Sequence, residues 1–442
     1  MGIPETIEGT VKWIEKCRKG IPAKKSKRPN LFPEFPGFGD GMRLCADFVL
    51  DTQLHKSFSA TQLRKLCLQP KTDQVLKDIA QLFLDEMEYL EQKVNPDVFI
   101  CAYPFELVKF LDQDGGDFSP NADDNNSQPE GAVIVPSKLI LHDYLKAAAM
   151  KIKKPTQIVR PSTYDEKKRL KRNHPSGATR QLQDEATRAW NFYTALYYKA
   201  GGVPWRLERE WSQLDTCYVG ISFYRSLDET KLLTSTAQVF NERGEGVIVR
   251  EGTAQISKDD KQIHLSADDA YNLLKKSLDN YRKEHHNYPA RVVIHKSSIH
   301  NADEIDGFGQ ALKSCSIEID QADFVSITRS FTRLFRAGIY PPLRGTLFET
   351  GSEPHILYTK GSVDFFTTYA GLYVPLPLGF RCDQTNQTPL FLAREILALT
   401  KMNWNNTQMD GGEPITQRVA QQVGSILKYL GPDYEPFYRF YM

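Results

Sequence analysis

Tyr218-Val219-Gly220-Ile221-Ser222-Phe223-Tyr224 is the stretch that decides the fold class of this chain. Its β-branched and aromatic residues predict a strand. The pattern continues with two further strands, a helix, another strand, a turn-rich segment and two closing helices, at 232–240, 246–251, 266–284, 291–295, 323–380, 388–400 and 413–429. The first three strands are expected to form an antiparallel meander.

Three antiparallel strands, a helix, a further strand and a terminal helix follow one another in the order of an RNase H-like unit. We therefore predict an α/β domain over residues 213–442. The preceding sequence also alternates helices with short strands, which predicts a second, open α/β domain over residues 1–212. Its predicted elements lie at 76–92, 97–102, 138–150, 157–159 and 181–199.

The composition excludes several classes of protein. With 56 basic and 55 acidic residues the net charge is +1, so a globally basic protein is excluded, although a local basic channel is not. No apolar run approaches the ~18 residues that a membrane span needs. The first residues lack a signal-peptide pattern, which predicts a cytoplasmic protein. The seven cysteines never show CxxC spacing, so reduced thiols are expected and no zinc site is suggested.

Four segments that are far apart in the sequence are predicted to form one anion-binding pocket. They are 141–146, 155–157, 197–202 and the aromatic tail 437–442. His142 and Lys146 are four residues apart on a predicted helix and therefore face the same way. Lys146 and Lys199 offer two ammonium groups for charge-assisted hydrogen bonds to a phosphate, and Gln157 offers neutral donors.

Short motifs in a fixed order carry a family resemblance. They are Pro155-Thr156-Gln157, Tyr198-Lys199-Ala200-Gly201-Gly202, Val219-Gly220-Ile221, Tyr340-Pro341-Pro342-Leu343-Arg344-Gly345-Thr346, Tyr358-Thr359-Lys360-Gly361, Tyr369-Ala370-Gly371 and Asn403-Trp404-Asn405-Asn406. On these residues the chain resembles an Argonaute reduced to its MID and PIWI domains, the short prokaryotic type. The resemblance covers roughly residues 95–442. It implies a Rossmann-like MID domain with an N-terminal extension over 1–212 and an RNase H-like PIWI domain over 213–442.

The resemblance also implies a role for the pocket, namely holding the 5′-phosphate of a guide strand. Its positions fall on His142, Lys146, Gln157 and Lys199. The carboxylate of Met442 is expected to share a Mg²⁺ ion with that phosphate, because a carboxylate beside a dianion otherwise repels it.

Further contacts to nucleic acid are expected around this pocket and in the PIWI domain. Tyr144 or His142 is expected to stack on the first base, and Asp143 is expected to point elsewhere. Four arginines lie on segments that in this family line the guide–target channel: Arg329, Arg333, Arg336 and Arg344. Each could grip backbone phosphates, and for each a surface ion pair is an equal alternative.

The acids of a cleaving PIWI domain are missing from their expected positions. RNase H-like cleavage needs clustered carboxylates that hold two divalent ions. The three positions read Ser222, Lys296-Ser297 and Gln421, and Lys296 is expected to put positive charge where the ions would bind. The nearby acids are assigned to turns and solvated surface: Asp228, Glu229, Asp303, Glu304 and Asp306.

The leading hypothesis is therefore a guide-binding Argonaute that does not cleave. The resemblance implies an RNA guide, a single-stranded DNA target and a partner chain with an APAZ region and an effector, in prokaryotic immunity. The effector would be a TIR or sirtuin-like NADase or a nuclease. Two alternatives stay open: a guide-directed nuclease with displaced acids, and a metabolic enzyme that binds a phosphorylated small molecule. The sequence leaves open the guide chemistry, the effector, the first-base preference and the oligomeric state.

Overall fold

The predicted α/β class is confirmed by the computed structural model of the chain. The residues that this structure describes are 1–27, 29–38, 44, 46–112, 139–170, 182–208, 214–240, 245–249, 252–315, 319, 321–338, 341–351, 353–366, 369, 371, 374–407, 411–431 and 438–441. Among the helices within these ranges, none combines the length and the apolarity that a membrane span requires.

The amino-terminal half is mainly helical around a small parallel sheet. Its elements are α1 (Pro4–Arg18), α2 (Ala60–Cys67), α3 (Asp73–Lys93), β1 (Phe99–Ala102), α4 (Phe105–Asp112), α5 (Leu141–Ala149), β2 (Thr156–Val159), α6 (Pro161–Tyr164) and α7 (Glu185–Lys199). Strands β1 and β2 are parallel, with Phe99 opposite Thr156, and Gly2 forms a parallel bridge to Ala102 beside them. Helix α7 begins four residues later than predicted, because the Asp184 side chain caps it by accepting from the Thr187 N–H.

Two apolar clusters support this half. One joins α3 to β1, α4 and α5 and includes Phe83, Met87 and Leu145. The other packs α1 against α7 through residues such as Trp13 and Tyr193. Helices α5 and α7 are thereby fixed on the two sides of β2, which sets the positions of the pocket residues that they carry.

The carboxy-terminal half is built on an eight-stranded mixed sheet. Its elements are β3 (Thr216–Arg225), β4 (Leu232–Phe240), β5 (Glu245–Val249), β6 (Gln255–Ile256), β7 (Ile263–His264), α8 (Ala267–His285), β8 (Arg291–Lys296), α9 (Ala302–Lys313), β9 (Gln321–Arg329), β10 (Leu347–Phe348), β11 (His355–Leu357), β12 (Leu378–Gln384), α10 (Pro389–Leu399) and α11 (Ile415–Leu427). The strand order is β10-β11-β12-β9-β8-β3-β4-β5, in which β3, β8 and β9 are parallel. Strands β6 and β7 form a separate small ribbon.

Helices cover both faces of this sheet. Cys217, Val219 and Ile221 pack on the side of α8 and α9, while α11 lies on the opposite side. Gly220 allows α11 to approach closely, since a Cβ there would lie 2.1 Å from the Thr416 carbonyl oxygen. Strand β3 is therefore buried on both faces, because a layer of helices lies on each side of it.

A buried charge network ties α10 to the sheet. The Arg291 guanidinium pairs with Asp323 on β9, at 2.6 Å from its Nε, and with both oxygens of Glu395 on α10, at 2.6 and 2.8 Å. The Tyr218 hydroxyl donates to the same Glu395 at 2.7 Å. All charged members have partners, so the network is structural.

The two halves meet at the pocket. Helix α11 packs against α5, and the Tyr429 hydroxyl accepts from the Ile140 N–H at 2.9 Å. Phe440 and Tyr441 of the aromatic tail are buried in one cluster with Ala147 and Tyr198. The carboxy-terminal residues are thus next to the two helices that carry Lys146 and Lys199.

Candidate functional site

The four predicted pocket residues come from three neighbouring elements. His142 and Lys146 are on α5, Gln157 is on β2, and Lys199 is in the last turn of α7. The Lys199 Nζ donates to the Gln157 Oε1 at 2.6 Å, across 42 positions of sequence. The Gln157 amide is fixed in this orientation, because its Nε2 donates to the Ile158 carbonyl at 3.1 Å. The structure therefore brings these segments to one place.

Both lysines are buried, and their pKa values report it. Burial lowers the pKa of Lys146 to about 8, against an opposing contribution from Asp143. The pKa of Lys199 is well below its usual value, first through burial and then through repulsion from Lys146. Lys146 is therefore near enough to Lys199 for the two charges to repel one another. An anion between them would relieve both effects.

His142 and Asp143 also belong to this site. Burial lowers the pKa of His142, and Lys146 and Arg160 add to the effect. The His142 Nδ1 lies 2.8 Å from the Asp143 Oδ1. The expectation that Asp143 points elsewhere was wrong, since its buried carboxylate turns back to His142 and attracts Lys146.

Two further cations were missed by sequence reasoning. Arg160 follows β2 directly and is near enough to depress the pKa of His142. Lys428, at the end of α11, has a pKa that burial lowers and that Asp143 partly restores. Arg160 could have been found from its position, because ligands bind beyond the carboxyl ends of parallel strands. Lys428 carries no local signal, since its place depends on how α11 packs against α5.

The tail reaches this site, but its last residue lies outside the described residues. Arg439 approaches Gly201, the residue that ends α7 in a left-handed conformation, at φ +106°. Met442 is not among the described residues, so the prediction for its carboxylate is untested. Mg²⁺ prefers oxygen ligands, whereas the described side chains around the pocket are mostly cationic, with Asp143 as a facing carboxylate. These residues do not form a Mg²⁺ site by themselves, and the ion remains a prediction that depends on Met442.

The stacking prediction for Tyr144 is corrected by its position. Successive residues of an α-helix are about 100° apart, so Tyr144 lies on the face of α5 opposite to His142 and Lys146. Its ring meets the Tyr429 ring edge-on, with centroids 5.8 Å apart. His142, whose side chain is 29% exposed, is the better placed of the two for stacking on a base.

The four arginines predicted to contact nucleic-acid phosphates have different surroundings in the structure. Arg329 pairs with Glu413 at 3.3 Å, which is the ion-pair alternative. The prediction that Arg344 contacts nucleic-acid phosphates was wrong, because its guanidinium is used within the protein. It donates to the Thr359 carbonyl and, at 2.8 Å, to the Thr400 hydroxyl. Arg333 is exposed and Arg336 is half-buried, on the segment after β9.

The positions of the expected catalytic acids fall on both sides of the sheet. Ser222 is buried opposite Ser235, whose hydroxyl donates to the Ala420 carbonyl, so Ser222 faces α11. Lys296 pairs in register with Ile221 and therefore faces the α8–α9 side. The expectation that Lys296 places its charge at the Ser222 position was therefore wrong. Gln421 is half-buried on α11.

The Lys296 ammonium is fully enclosed by acceptors. It lies 2.7 Å from a Glu304 carboxylate oxygen and donates to the Ile263 and Ile299 carbonyls at 3.0 and 2.9 Å. Glu304 is 0% exposed and also accepts from the Leu265 and Asn301 N–H groups, so its assignment to solvated surface was wrong. A sequence signal existed, because Asn301 and Glu304 form a capping box at the start of α9.

Argonaute and Piwi proteins are among the solved structures that the chain resembles. The chain matches Clostridium butyricum Argonaute bound to a guide DNA and a 19-mer target DNA with a TM-score of 0.59 and 13% identity, over 99% of this chain and 49% of that one. It matches Drosophila Piwi with a TM-score of 0.53 and 12% identity, over 82% of this chain and 44% of that one. The chain has an Argonaute-like fold. It spans about half the length of these Argonaute and Piwi structures.

No family model and no curated protein sequence matches the chain. At 12–13% identity the likeness shows the Argonaute-like fold alone. The function of this chain therefore has to be argued from its own pocket.

Proposed function

We propose that this chain binds the 5′-phosphate of a guide strand in the pocket formed by α5, β2 and α7. The guide would pair with a single-stranded nucleic-acid target, so that base pairing reads the sequence. One observation carries the proposal: two buried lysines from distant segments lie in one place, since Lys199 donates to Gln157 and Lys146 lowers the pKa of Lys199 by repulsion. Buried like charges that repel one another are costly, so such a cluster favours an anionic ligand.

The chemistry of the pocket fits a terminal phosphate better than an internal one. A terminal monoester carries close to two negative charges at neutral pH, whereas an internal phosphate carries one. Lys146 and Lys199 can each give a charge-assisted hydrogen bond, and the half-exposed His142 stands beside them. Such a pocket would select the 5′ end of a strand and leave its sequence free.

We further propose that the chain does not cleave the target itself. Ser222 and Gln421 offer no carboxylate for a divalent ion, and Lys296 is committed to Glu304 on the other side of the sheet. A two-metal mechanism needs several carboxylates around adjacent ions. The catalytic output would then come from a partner chain. The family resemblance suggests an APAZ-bearing effector, a TIR or sirtuin-like NADase or a nuclease, acting in immunity against invading DNA.

The decisive experiment compares guides that differ only at the 5′ end. Matched RNA oligonucleotides with a 5′-phosphate and a 5′-hydroxyl are titrated into the purified chain, and DNA versions repeat the pair. We expect the phosphate to tighten binding about 10²-fold or more, as one or two charge-assisted hydrogen bonds would give. Equal affinity for both ends would contradict the proposal, and binding of short phosphorylated metabolites in place of oligonucleotides would favour the metabolic-enzyme alternative.

A second experiment separates a scaffold from a nuclease. The guide-loaded chain is incubated with a labelled complementary target and Mg²⁺ or Mn²⁺. We expect intact target, and a cut at a fixed distance from the guide 5′ end would establish the alternative with displaced acids. Mass spectrometry of proteins that copurify with the chain tests for the proposed effector partner.

A further inference from the structure

A cluster of metal-binding side chains lies at the outer edge of the large sheet, far along the strand order from Ser222. Glu353 precedes β11, His355 begins it, and Cys382 is on the neighbouring β12. One ligand atom from each lies within 4.8 Å of the other two. In the part of the chain that the structure describes, this is where three potential ligands of the His, Cys, Asp and Glu types converge.

The register of the strands explains why these three residues meet. His355 is opposite Phe380 in the antiparallel β11–β12 pair, and the two rings are 5.3 Å apart. Glu353 and Cys382 are each two residues further from this pair, in opposite chain directions. Side chains two apart on a strand share a face, so Cys382 lies on the same side of the sheet as Phe380 and His355. The Cys382 N–H donates to the Glu353 Oε1 at 2.7 Å, which fixes the carboxylate beside the thiol.

A second, independent observation concerns the imidazole. His355 is 9% exposed, and its buried Nδ1 makes no hydrogen bond to any described residue. Buried polar atoms are nearly always satisfied, so an orphaned ring nitrogen next to a thiol and a carboxylate calls for a ligand. Cys382 and Glu353 are half-buried, which leaves the site open to an ion from solution.

We propose that Glu353, His355 and Cys382 bind a divalent transition-metal ion of the Zn²⁺ type. The donor set is one oxygen, one nitrogen and one sulfur, and thiolate and imidazole favour Zn²⁺ over Mg²⁺ or Ca²⁺. In a tetrahedral Zn²⁺ site the ligand atoms are about 3.3–3.8 Å apart, so the side chains need only a small inward rotation. The fourth position would be open to water.

Arg381 is the local feature that opposes a cation. Its guanidinium lies 3.6 Å from the Glu353 Oε2 and 3.5 Å from the Asp383 Oδ1. At these distances it is a partly exposed, loosely held group that can turn towards Asp383 when an ion takes the Glu353 carboxylate. Removing it should strengthen the site, so Arg381→Gln is expected to bind the ion more tightly.

The ion would join β11 to β12 at the edge of the sheet and order the chain just before β11. This inference does not depend on guide binding, because it rests on residues outside the pocket of α5, β2 and α7. It also goes beyond the cysteine spacing, which suggests no zinc site because a ligand set drawn from two strands leaves no local motif.

The test uses the full chain, freed of metal and titrated with Co²⁺ as a spectroscopic stand-in for Zn²⁺. We expect one equivalent to bind with a thiolate charge-transfer band. Cys382→Ser should lose this band and weaken binding by at least about tenfold, the size of effect seen even for outer-shell partners. Cys67→Ser is the matched control, because both thiols are half-buried with a pKa raised by burial to about 11.

Alkylation provides a measurement that does not require a variant. Zn²⁺ should slow the modification of Cys382 by a thiol reagent and leave Cys67 unchanged. His355→Gln should abolish this protection while the circular dichroism spectrum stays unchanged. A Co²⁺ spectrum without a thiolate band, or equal alkylation of Cys382 with and without Zn²⁺, would overturn the proposal.

Discussion

Lysines are buried in both halves of the molecule, but the charged groups around them differ. Lys296 in the carboxy-terminal half is 0% exposed and has a carboxylate at 2.7 Å together with two backbone carbonyls. Lys146 and Lys199 in the amino-terminal half are nearly as buried, but Lys146 repels Lys199, and the Asp143 carboxylate that attracts Lys146 also attracts Lys428. Burial alone therefore does not mark a binding site.

The difference is one of charge balance. A buried ammonium with its own carboxylate and carbonyls is complete, and removing either partner leaves an uncompensated charge. Cations that repel one another are stabilised when an anion binds between them. We infer that the Lys296–Glu304 pair stabilises the fold, whereas the Lys146–Lys199 pocket favours the binding of a phosphate.

The largest effect is expected from emptying the pocket. Lys146→Ala with Lys199→Ala removes two charge-assisted hydrogen bonds, so the affinity for a 5′-phosphorylated guide should fall about 10²–10⁴-fold. The unfolding temperature of the guide-free chain should change little, because the repulsion between the two buried ammonium groups is removed together with their hydrogen bonds. The control is the exposed pair Lys151→Ala with Lys153→Ala on the neighbouring segment. If the pocket variant kept an unchanged preference for 5′-phosphate over 5′-hydroxyl guides, Lys146 and Lys199 would not be the ligands of the phosphate.

The converse is expected at the other lysine. Lys296→Met leaves the Glu304 carboxylate buried without its cation, which should cost about 3–5 kcal/mol of unfolding free energy in a urea titration. Guide affinity should be unchanged at a temperature where the variant is folded. Adding Glu304→Gln should recover part of the loss, since glutamine keeps the capping box. A double variant as unstable as Lys296→Met alone would show that the pair is not the source of the loss.

The pocket should also depend on pH. Lys146 has a pKa of about 8, so it loses its charge above that value, while the guide phosphate is a dianion only above about pH 6. Affinity for a 5′-phosphorylated guide should be highest between these values and fall by up to about tenfold per unit above pH 8.

Stability should follow the opposite trend over the same range. Because the pKa of Lys146 is lower in the folded chain than in the unfolded chain, the unfolded state holds more protons between about pH 8 and 10.5, and this group favours folding more as pH rises.

The control for the affinity profile is a 5′-hydroxyl guide, since its affinity should lack the step at pH 8. A flat profile for the phosphorylated guide would argue against charged lysines as its ligands.

The smallest effect is expected from the arginines. Arg344→Ala should lower stability by about 1 kcal/mol, because its partners are the Thr359 carbonyl and the Thr400 hydroxyl, and it should leave nucleic-acid affinity unchanged. Arg333→Ala should leave stability unchanged and reduce the salt dependence of guide–target binding by about one unit of slope. Binding isotherms over a salt series measure this, and a reversed pattern would reassign the two residues.

Local sequence signals were sufficient for some of these features. The i, i+4 spacing of His142 and Lys146 and the glycine stop after Lys199 depend only on helix geometry. The strand around Gly220 was evident because β-branched and aromatic residues favour strands. Tyr144 was misjudged because stacking was inferred from residue type rather than from helix face, and Arg344 because a basic side chain was assumed to be free.

The sequence by itself determined the α/β class, the order of β3, β4, β5, α8 and β8, and the set of segments that bring Lys146, Gln157 and Lys199 together. These depend on periodicity, caps and turns, which act over a few residues. Only the tertiary structure decided which partners the charged groups have: Glu304 for Lys296, Asp143 between Lys146 and Lys428, and the Thr400 hydroxyl, as a hydrogen-bond acceptor, for Arg344. Charge balance in a protein interior depends on atoms within a few ångströms in space, and these come from residues that no local pattern connects.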